Sequence, residues 1–345
     1  MENVINENNV PAQEEVHYST FRHALGAVLA FFGFSSKTHR ASKKRAKLVG
    51  DIVTYIILLF GAFIMVYPFW WMIAGSFTNS SMGAVGPFEG WAWWPTTSTF
   101  NTTTLYEIGG FYNYFELFRN GFTSSEFAPG YSYWRAVLNN LIYSIVPVVV
   151  GVVTSTMAAF SFAKINWIGR NKVFLFLLAA IMVPGPSIMT AQFVLYDSLG
   201  MLNNAAVLIV PGLFGSIMTA FFIRQFLYGL PTSIIEAAKI DGAGYPRIFF
   251  GFIMPLALPA IMAQGLLSFM GCWNNYMGSF IFINQQSEWI NLPHAMYVMN
   301  KVYEGRRDMG PVIAASVMCV LPVIILFACF QKMIIGSLML TGSKE

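Results

Sequence analysis

The sequence predicts an all-α polytopic membrane protein with six transmembrane helices and one short, charged helix between the fourth and fifth. Three observations carry this. Of 345 residues, 56% are hydrophobic and only 10% are Asp, Glu, Lys or Arg, against about 25% charged in soluble domains. Charge-free runs long enough to cross a hydrocarbon core of about 30 Å recur along the chain, whereas a β-barrel would show short alternating segments. Most of the Lys/Arg residues fall on one of the two sides that those runs define.

Residues 1–22 are polar, and because residues 1–20 are polar and acidic no cleavable leader is expected there. The apolar run 23–34 is too short to span. The cluster KTHRASKKRAK (37–47) then supplies six Lys/Arg, which suits an anionic membrane surface or simply sets topology. Residues 1–47 are therefore taken as an N-terminal tail and 48–345 as the membrane domain.

The charge-free runs are 52–75, 136–163, 173–196, 198–223, 248–287 and 309–331. The fourth and fifth are trimmed to spans of about 205–223 and 248–283. The cluster at 37–47 places the N-terminus in the cytoplasm. Lys164, Arg170 and Lys172, then Arg224, Lys239 and Arg247, and finally Lys332 and Lys344 fall on the same side. Lys301, Arg306 and Arg307 go against the pattern, partly offset by Glu288, Glu304 and Asp308. The first external loop, 76–135, carries WAWWPTTSTFNTTT (91–104) and FYNYFELF (111–118). Its aromatic density suits an interfacial or packed subdomain, and a sugar-stacking platform is the sharper alternative. Asn79 and Asn101 stand in N-x-S/T sequons.

The stretch 229–259 interrupts the apolar pattern. Pro231 ends the preceding helix, and Ser233 and Glu236 have capping-box spacing. A helix starting near 234 ends near Gly242 and Gly244, both tolerant of positive φ. Pro246 then fits the first turn of the fifth span. So short a helix needs packing to persist. Ala237, Ala238, Ala243, Gly242 and Gly244 leave little bulk, while Glu236, Lys239 and Asp241 can orient a contact. A knob for another protein's socket and an amphipathic connector on the membrane fit these residues equally well.

These residues resemble the signature of permease subunits of binding-protein-dependent ABC importers. That signature is E-A-A, three residues, Gly, nine residues, then I-x-L-P, and Glu236-Ala237-Ala238, Gly242 and Pro255 match it. Phe252 and Met254 stand where the signature has Ile and Leu. The stretches 158–174, 183–204, 221–231, 240–244 and 273–282 resemble the maltose-type carbohydrate importers in particular, and the resemblance covers about 48–345. Two features depart from the family: Ala191 stands where a proline is usual, and the 76–135 loop is longer. The resemblance implies that the 234–244 loop is a cytoplasmic coupling helix docking on a separate ATPase. It implies a second homologous permease, two ATPase subunits and an extracellular solute-binding protein facing the 76–135 and 284–308 loops. The tail 340–345 would also reach the ATPases.

The remaining chemistry is sparse. No phosphate-loop pattern occurs, so the chain itself is expected to need no cofactor, with ATP bound by the partner. Nor is there a zinc-protease or nucleophile-elbow motif. Cys272, Cys319 and Cys329 lie in apolar runs and suggest neither a disulfide framework nor a metal site. His17, His23, His39 and His294 are dispersed, and no Asp, Glu or His interrupts the charge-free runs, which disfavours proton- or sodium-driven transport; a secondary transporter or channel using the same six spans is the competing class. No feature suggests nucleic-acid binding. Asn139, Asn140, Ser144, Gln192, Gln264, Asn274 and Asn275, with Trp273 and Tyr276, are candidates for a solute path. Interhelical hydrogen bonding is the plainer role for each. Pro184, Pro255 and Pro259 are expected to break or kink their spans. The expected function is a permease subunit in the plasma membrane importing a carbohydrate or another small solute.

Overall fold

The computed structural model describes residues 39–77, 111–120, 122, 124–304 and 309–342, and among them every regular element is helical. The chain forms two compact units, Met1–Pro68 and Phe69–Glu345. The described part of the first is helical from His39, in α1 (His39–Ser76), so the basic cluster enters the helix instead of preceding it. The aromatic stretch 91–104, both sequons and residues 305–308 lie outside the described residues.

In the second unit α2 (Tyr112–Asn120) is a short amphipathic helix from the 111–118 stretch. Its Leu117 is buried, and Phe118 stacks on Trp134 with ring centroids 5.1 Å apart. These rings pack as protein core and interface, which is the subdomain reading of the stretch. α3 (Tyr133–Lys164) is capped by Ser132, whose Oγ accepts from the Arg135 amide at 3.3 Å.

The expected third span is two helices, α4 (Arg170–Ile181) and α5 (Gly185–Ser198), bent by 96°. Pro184 stands at the N-cap of α5 and Pro186 within its first turn, so neither amide is available to continue α4. Each piece is about 18–21 Å long at ~1.5 Å per residue, too short to cross alone. The fourth span is also broken, into α6 (Ala206–Leu213) and α7 (Ile217–Tyr228). A break inside a membrane leaves backbone groups that lipid cannot satisfy. Here α3 satisfies them: Thr154 Oγ1 donates to Leu213 O (3.1 Å), and Ser155 Oγ accepts from the Ser216 amide (2.8 Å). Gly151 lets the backbones meet, since a Cβ there would collide with the Gly212 carbonyl oxygen.

α8 (Ser233–Ile240) leads into a continuous fifth span made of α9 (Tyr245–Ile248), a π-helical turn at Phe249–Ile253, and α10 (Met254–Trp273). The π turn was not legible from the prolines alone. It stands immediately before Pro255, whose ring crowds the carbonyl four residues back and whose missing N–H vacates a bond. The span stops at Trp273, short of the expected 283. α11 (Tyr276–Phe282), α12 (Leu292–Tyr303) and the long α13 (Gly310–Gly342) complete the fold. Five helical segments are long and apolar enough to cross a membrane, and the bent α4–α5 pair makes a sixth.

Two apolar cores form in the second unit. One gathers Phe122, Tyr133, Trp273, Ile290 and Met299 around α2, α3, α11 and α12. The other gathers Ala159, Phe160, Ile223, Leu227, Ile248 and Phe249 around the ends of α3, α7 and α9. α8 belongs to the second.

Candidate docking helix and solute-path residues

α8 has eight residues, too few to hold a helix in water. Ile235 and Ala238 fasten it to the second core, where each is at most 6% exposed. The capping box expected at Ser233 and Glu236 is absent. Thr232 holds the N-cap position with φ −70°, ψ −24° and no side-chain bond, which is helical geometry and not the extended backbone a cap adopts. Ser233 is therefore the first helical residue.

The C-terminus is built as expected at Gly242 and differently at Gly244. Gly242 has φ +78°, while Gly244 has φ −71° and needs no glycine for its backbone. The Gly242 amide donates to Lys239 O (3.0 Å) and the Ala243 amide to Ala238 O (2.9 Å). This is the paired bond pattern of a left-handed helix stop, with Ala243 packing on the core beside Ala238. Pro246 follows in the first turn of α9.

The face turned away from the core exposes Glu236, Ala237, Lys239, Asp241 and Gly242, and Ile240 is 87% exposed. Lys239 Nζ bonds Tyr245 Oη at 3.1 Å and lies 4.8 Å from its ring centroid. No side chain of this chain comes within 4 Å of a Cβ built on Gly242. The result is a low surface of small residues around one apolar tip, bordered by two acids and a base.

The solute-path candidates fall into separate groups. Asn139 Nδ2 donates to Glu288 O (2.8 Å) and Ile290 O (3.0 Å), so it ties α3 to the loop before α12. Asn140 Nδ2 donates to Trp273 O (3.2 Å) at the end of α10, and Trp273 Nε1 donates to Cys319 O (3.1 Å) on α13. Asn140 Oδ1 and Ser144 Oγ, one turn apart, are buried without a partner among the described residues. Asn274 bonds back to Met270 O, and Asn275 caps α11 by accepting from the Gly278 amide. Tyr276 joins a ring cluster with Phe280, His294 and Tyr297. Gln192 is half-buried on α5, whose neighbouring Phe193 faces Phe282 of α11 at 6.4 Å.

Sequence reasoning missed the strap that holds residues 288–290. Besides Asn139, Tyr131 Oη donates to Ile290 O (2.8 Å), Tyr143 Oη donates to Trp289 O (3.0 Å), and Arg135 pairs with Glu288 at 2.7 Å. It also missed the His294–Ser279–Asn291 network: Ser279 Oγ meets His294 Nδ1 at 3.1 Å and accepts from the Asn291 amide at 3.3 Å. Burial holds the His294 imidazole well below its usual range, at about 4. Sequence spacing carried no signal for the strap, because its partners are mostly backbone carbonyls far along the chain.

Among the described residues, five helical segments able to cross a membrane, a bent pair that can make a sixth span and an anchored polar helix ahead of Tyr245–Trp273 define a polytopic α-helical membrane protein. A family model described as "Binding-protein-dependent transport system inner membrane component" matches residues 151–338, and the chain belongs to that family. The arabinooligosaccharides transport system permease protein of Halalkalibacterium halodurans is 32% identical over 61% of this chain and 75% of its own length. The diacetylchitobiose uptake system permease protein of Streptomyces coelicolor is 26% identical, covering 83% and 86%. The maltodextrin transport system permease protein of Streptococcus pneumoniae is 26% identical, covering 88% and 99%. A solved bacterial ABC transporter, described as importing the acidic polysaccharide alginate, shares the fold with TM-score 0.67 at 20% identity, over 84% of this chain and 97% of that one.

Proposed function

We propose that this chain is a permease subunit of an ATP-driven importer for a carbohydrate of oligosaccharide size. It forms half of the translocation path and leaves ATP hydrolysis to a separate ATPase. The observation that carries the reading is α8: a two-turn helix fastened by Ile235 and Ala238, with its small-residue face exposed. A surface that lacks bulk and carries Glu236, Lys239 and Asp241 at its border fits a socket in a partner better than lipid. The relatives named above are described as permeases for arabino-oligosaccharides, diacetylchitobiose and maltodextrin, which supports the cargo class.

In this reading α8 and both termini lie on the cytoplasmic side. The partners are a second homologous permease, two ATPase subunits and an extracellular binding protein. Closure of the ATPases displaces α8, and its core carries the ends of α3, α7 and α9 with it. Purification of the detergent-solubilised chain from its native membrane tests the proposal. A co-purifying ATPase whose hydrolysis rises with loaded binding protein is expected. A chain that never brings down an ATPase removes the importer reading, and stimulation only by non-carbohydrate solutes removes the cargo class.

A further inference from the structure

At the end of the fourth span opposite α8, the turn 199–205 meets the turn 283–286. Asn203 joins them, its amide donating to Phe282 O (3.0 Å) and its Oδ1 accepting from the Asn284 amide (2.6 Å). Asn203 is the non-glycine residue with positive φ, +56°, among the described residues, a conformation asparagine tolerates better than most. Between the turns lies a cavity of about 370 Å³ lined by Phe193, Asn203, Phe280, Asn284, Gln285 and His294, among others.

The polar groups around this cavity are oriented by the backbone. Asn203 Oδ1 is held by the Asn284 N–H, and Asn284 Oδ1 by the Gln286 N–H at 2.9 Å. A backbone N–H only donates, so each amide keeps its Nδ2 donors unspent. Ser279 Oγ accepts from the Asn291 amide and has its own proton for His294 Nδ1. Burial keeps the His294 imidazole neutral, its pKa held down at about 4. No acid and no Lys or Arg lines the cavity. Phe280, stacked on Tyr276 with ring centroids 5.2 Å apart, is 44% exposed, and Phe193, stacked on Phe282, is 41% exposed.

We propose that this cavity is a subsite for one neutral saccharide unit of the transported carbohydrate, at the mouth of the path. The Nδ2 donors of Asn203 and Asn284 would receive ring and hydroxyl oxygens, and the Phe280 ring would cover the C–H side of the sugar. A hydrocarbon would strand the donors, and a cationic amine would find no carboxylate. The volume stands at the lower end of the ~300–1,000 Å³ range of ligand pockets, enough for one ring and not for a chain of them. The inference rests on the carbohydrate reading above.

The test uses the assembled transporter in lipid nanodiscs, with maltotriose, arabinotriose and diacetylchitobiose as probes in saturation-transfer NMR titrations. In the wild type, saccharide C–H protons of at least one probe receive magnetisation from aromatic rings. Phe280→Ala abolishes that transfer and weakens binding roughly tenfold, about 1.4 kcal/mol. Asn284→Ala, at an exposed turn, weakens binding roughly threefold to tenfold and covers the case in which Phe280→Ala does not assemble. If the wild type binds and imports a saccharide but both variants match it, the subsite is refuted and the importer reading stands. If the wild type neither binds nor imports any saccharide, the carbohydrate reading itself falls.

Discussion

Gly242 separates two demands that a docking helix makes, a left-handed stop and a surface without bulk. Its φ of +78° costs an ordinary L-residue about 1–2 kcal/mol, a factor of about 5–30 in the population of the closed helix end. No atom of this chain lies within 4 Å of a Cβ there, so nothing inside the chain resists a side chain. Asn tolerates the left-handed region, so Gly242→Asn keeps the stop while adding bulk. Gly242→Ala adds little bulk but strains the stop. Against a total stability of about 5–15 kcal/mol, neither change prevents insertion. Both variants are reconstituted with the ATPase and binding protein, and uptake and stimulated ATP hydrolysis are measured. The docking role predicts that Gly242→Asn loses coupling at least as severely as Gly242→Ala, because its side chain occupies the socket. Wild-type uptake by Gly242→Asn would refute the role of the bare surface. Loss confined to Gly242→Ala would reduce Gly242 to a backbone requirement.

Further outcomes follow from the packing. Gly151→Ala places a methyl against the Gly212 carbonyl oxygen and is expected to cost about 1–3 kcal/mol. Thermal unfolding of the purified chain reads this, with Gly265→Ala, which meets nothing within 4 Å, as the tolerated comparison. Asn139→Ala leaves Glu288 O without its 2.8 Å donor and is expected to cost about 1–3 kcal/mol, read in the same assay. His294 carries a pH dependence. Its folded pKa of about 4 lies below the ordinary 6.5, so the unfolded chain takes up a proton first as pH falls. The stability this group contributes is full above pH 6.5 and is lost as pH falls toward 4. His294→Gln is expected to flatten the unfolding midpoint across that window, and an unchanged slope would show that another group titrates there.

What the sequence disclosed was local or periodic. Charge-free runs locate spans because a single charge near the centre is costly, and Gly242 and Pro246 mark a helix stop and restart from backbone chemistry alone. Ser233 misled because capping depends on the φ and ψ of the residue ahead of the helix, which Pro231 and Thr232 decide. Pro184 marked a break in the third span, but the 96° angle between α4 and α5 has no counterpart in the local sequence. The same limit hid the strap at 288–290, where Tyr131, Asn139 and Tyr143 bond carbonyls well over a hundred residues away. Asparagines that suit a solute path by type are, at positions 139, 140 and 275, engaged in holding helix ends together.

This arrangement constrains how a displacement of α8 can travel. Ile235 and Ala238 share one close-packed core with Ala159 and Phe160 of α3, Ile223 and Leu227 of α7, and Ile248 of α9. A close-packed core resists gradual deformation, so in the proposed coupling α8 and these three helix ends would move as one body. Above that body, α3 is joined to α6 and α7 at Gly151 by contacts too close for any side chain, and by the hydroxyls of Thr154 and Ser155. The α3–α7 pair therefore transmits the displacement without slack. The fifth span differs. Between its α8 end and α10 stands the π turn at Phe249–Ile253, followed by Pro255 and Pro259, where the regular bond ladder is interrupted. Compliance is thus placed in the fifth span and stiffness in the second and fourth. A pull on α8 would rotate α10 and the α11 segment that follows relative to α3. Among the bonds that resist this are Asn140 to Trp273 O, and Asn291 to Asn275 O at 2.7 Å. Asn140, with its buried Oδ1 unpartnered in the described arrangement, is the member of that pair with a bond still to make when the helices shift.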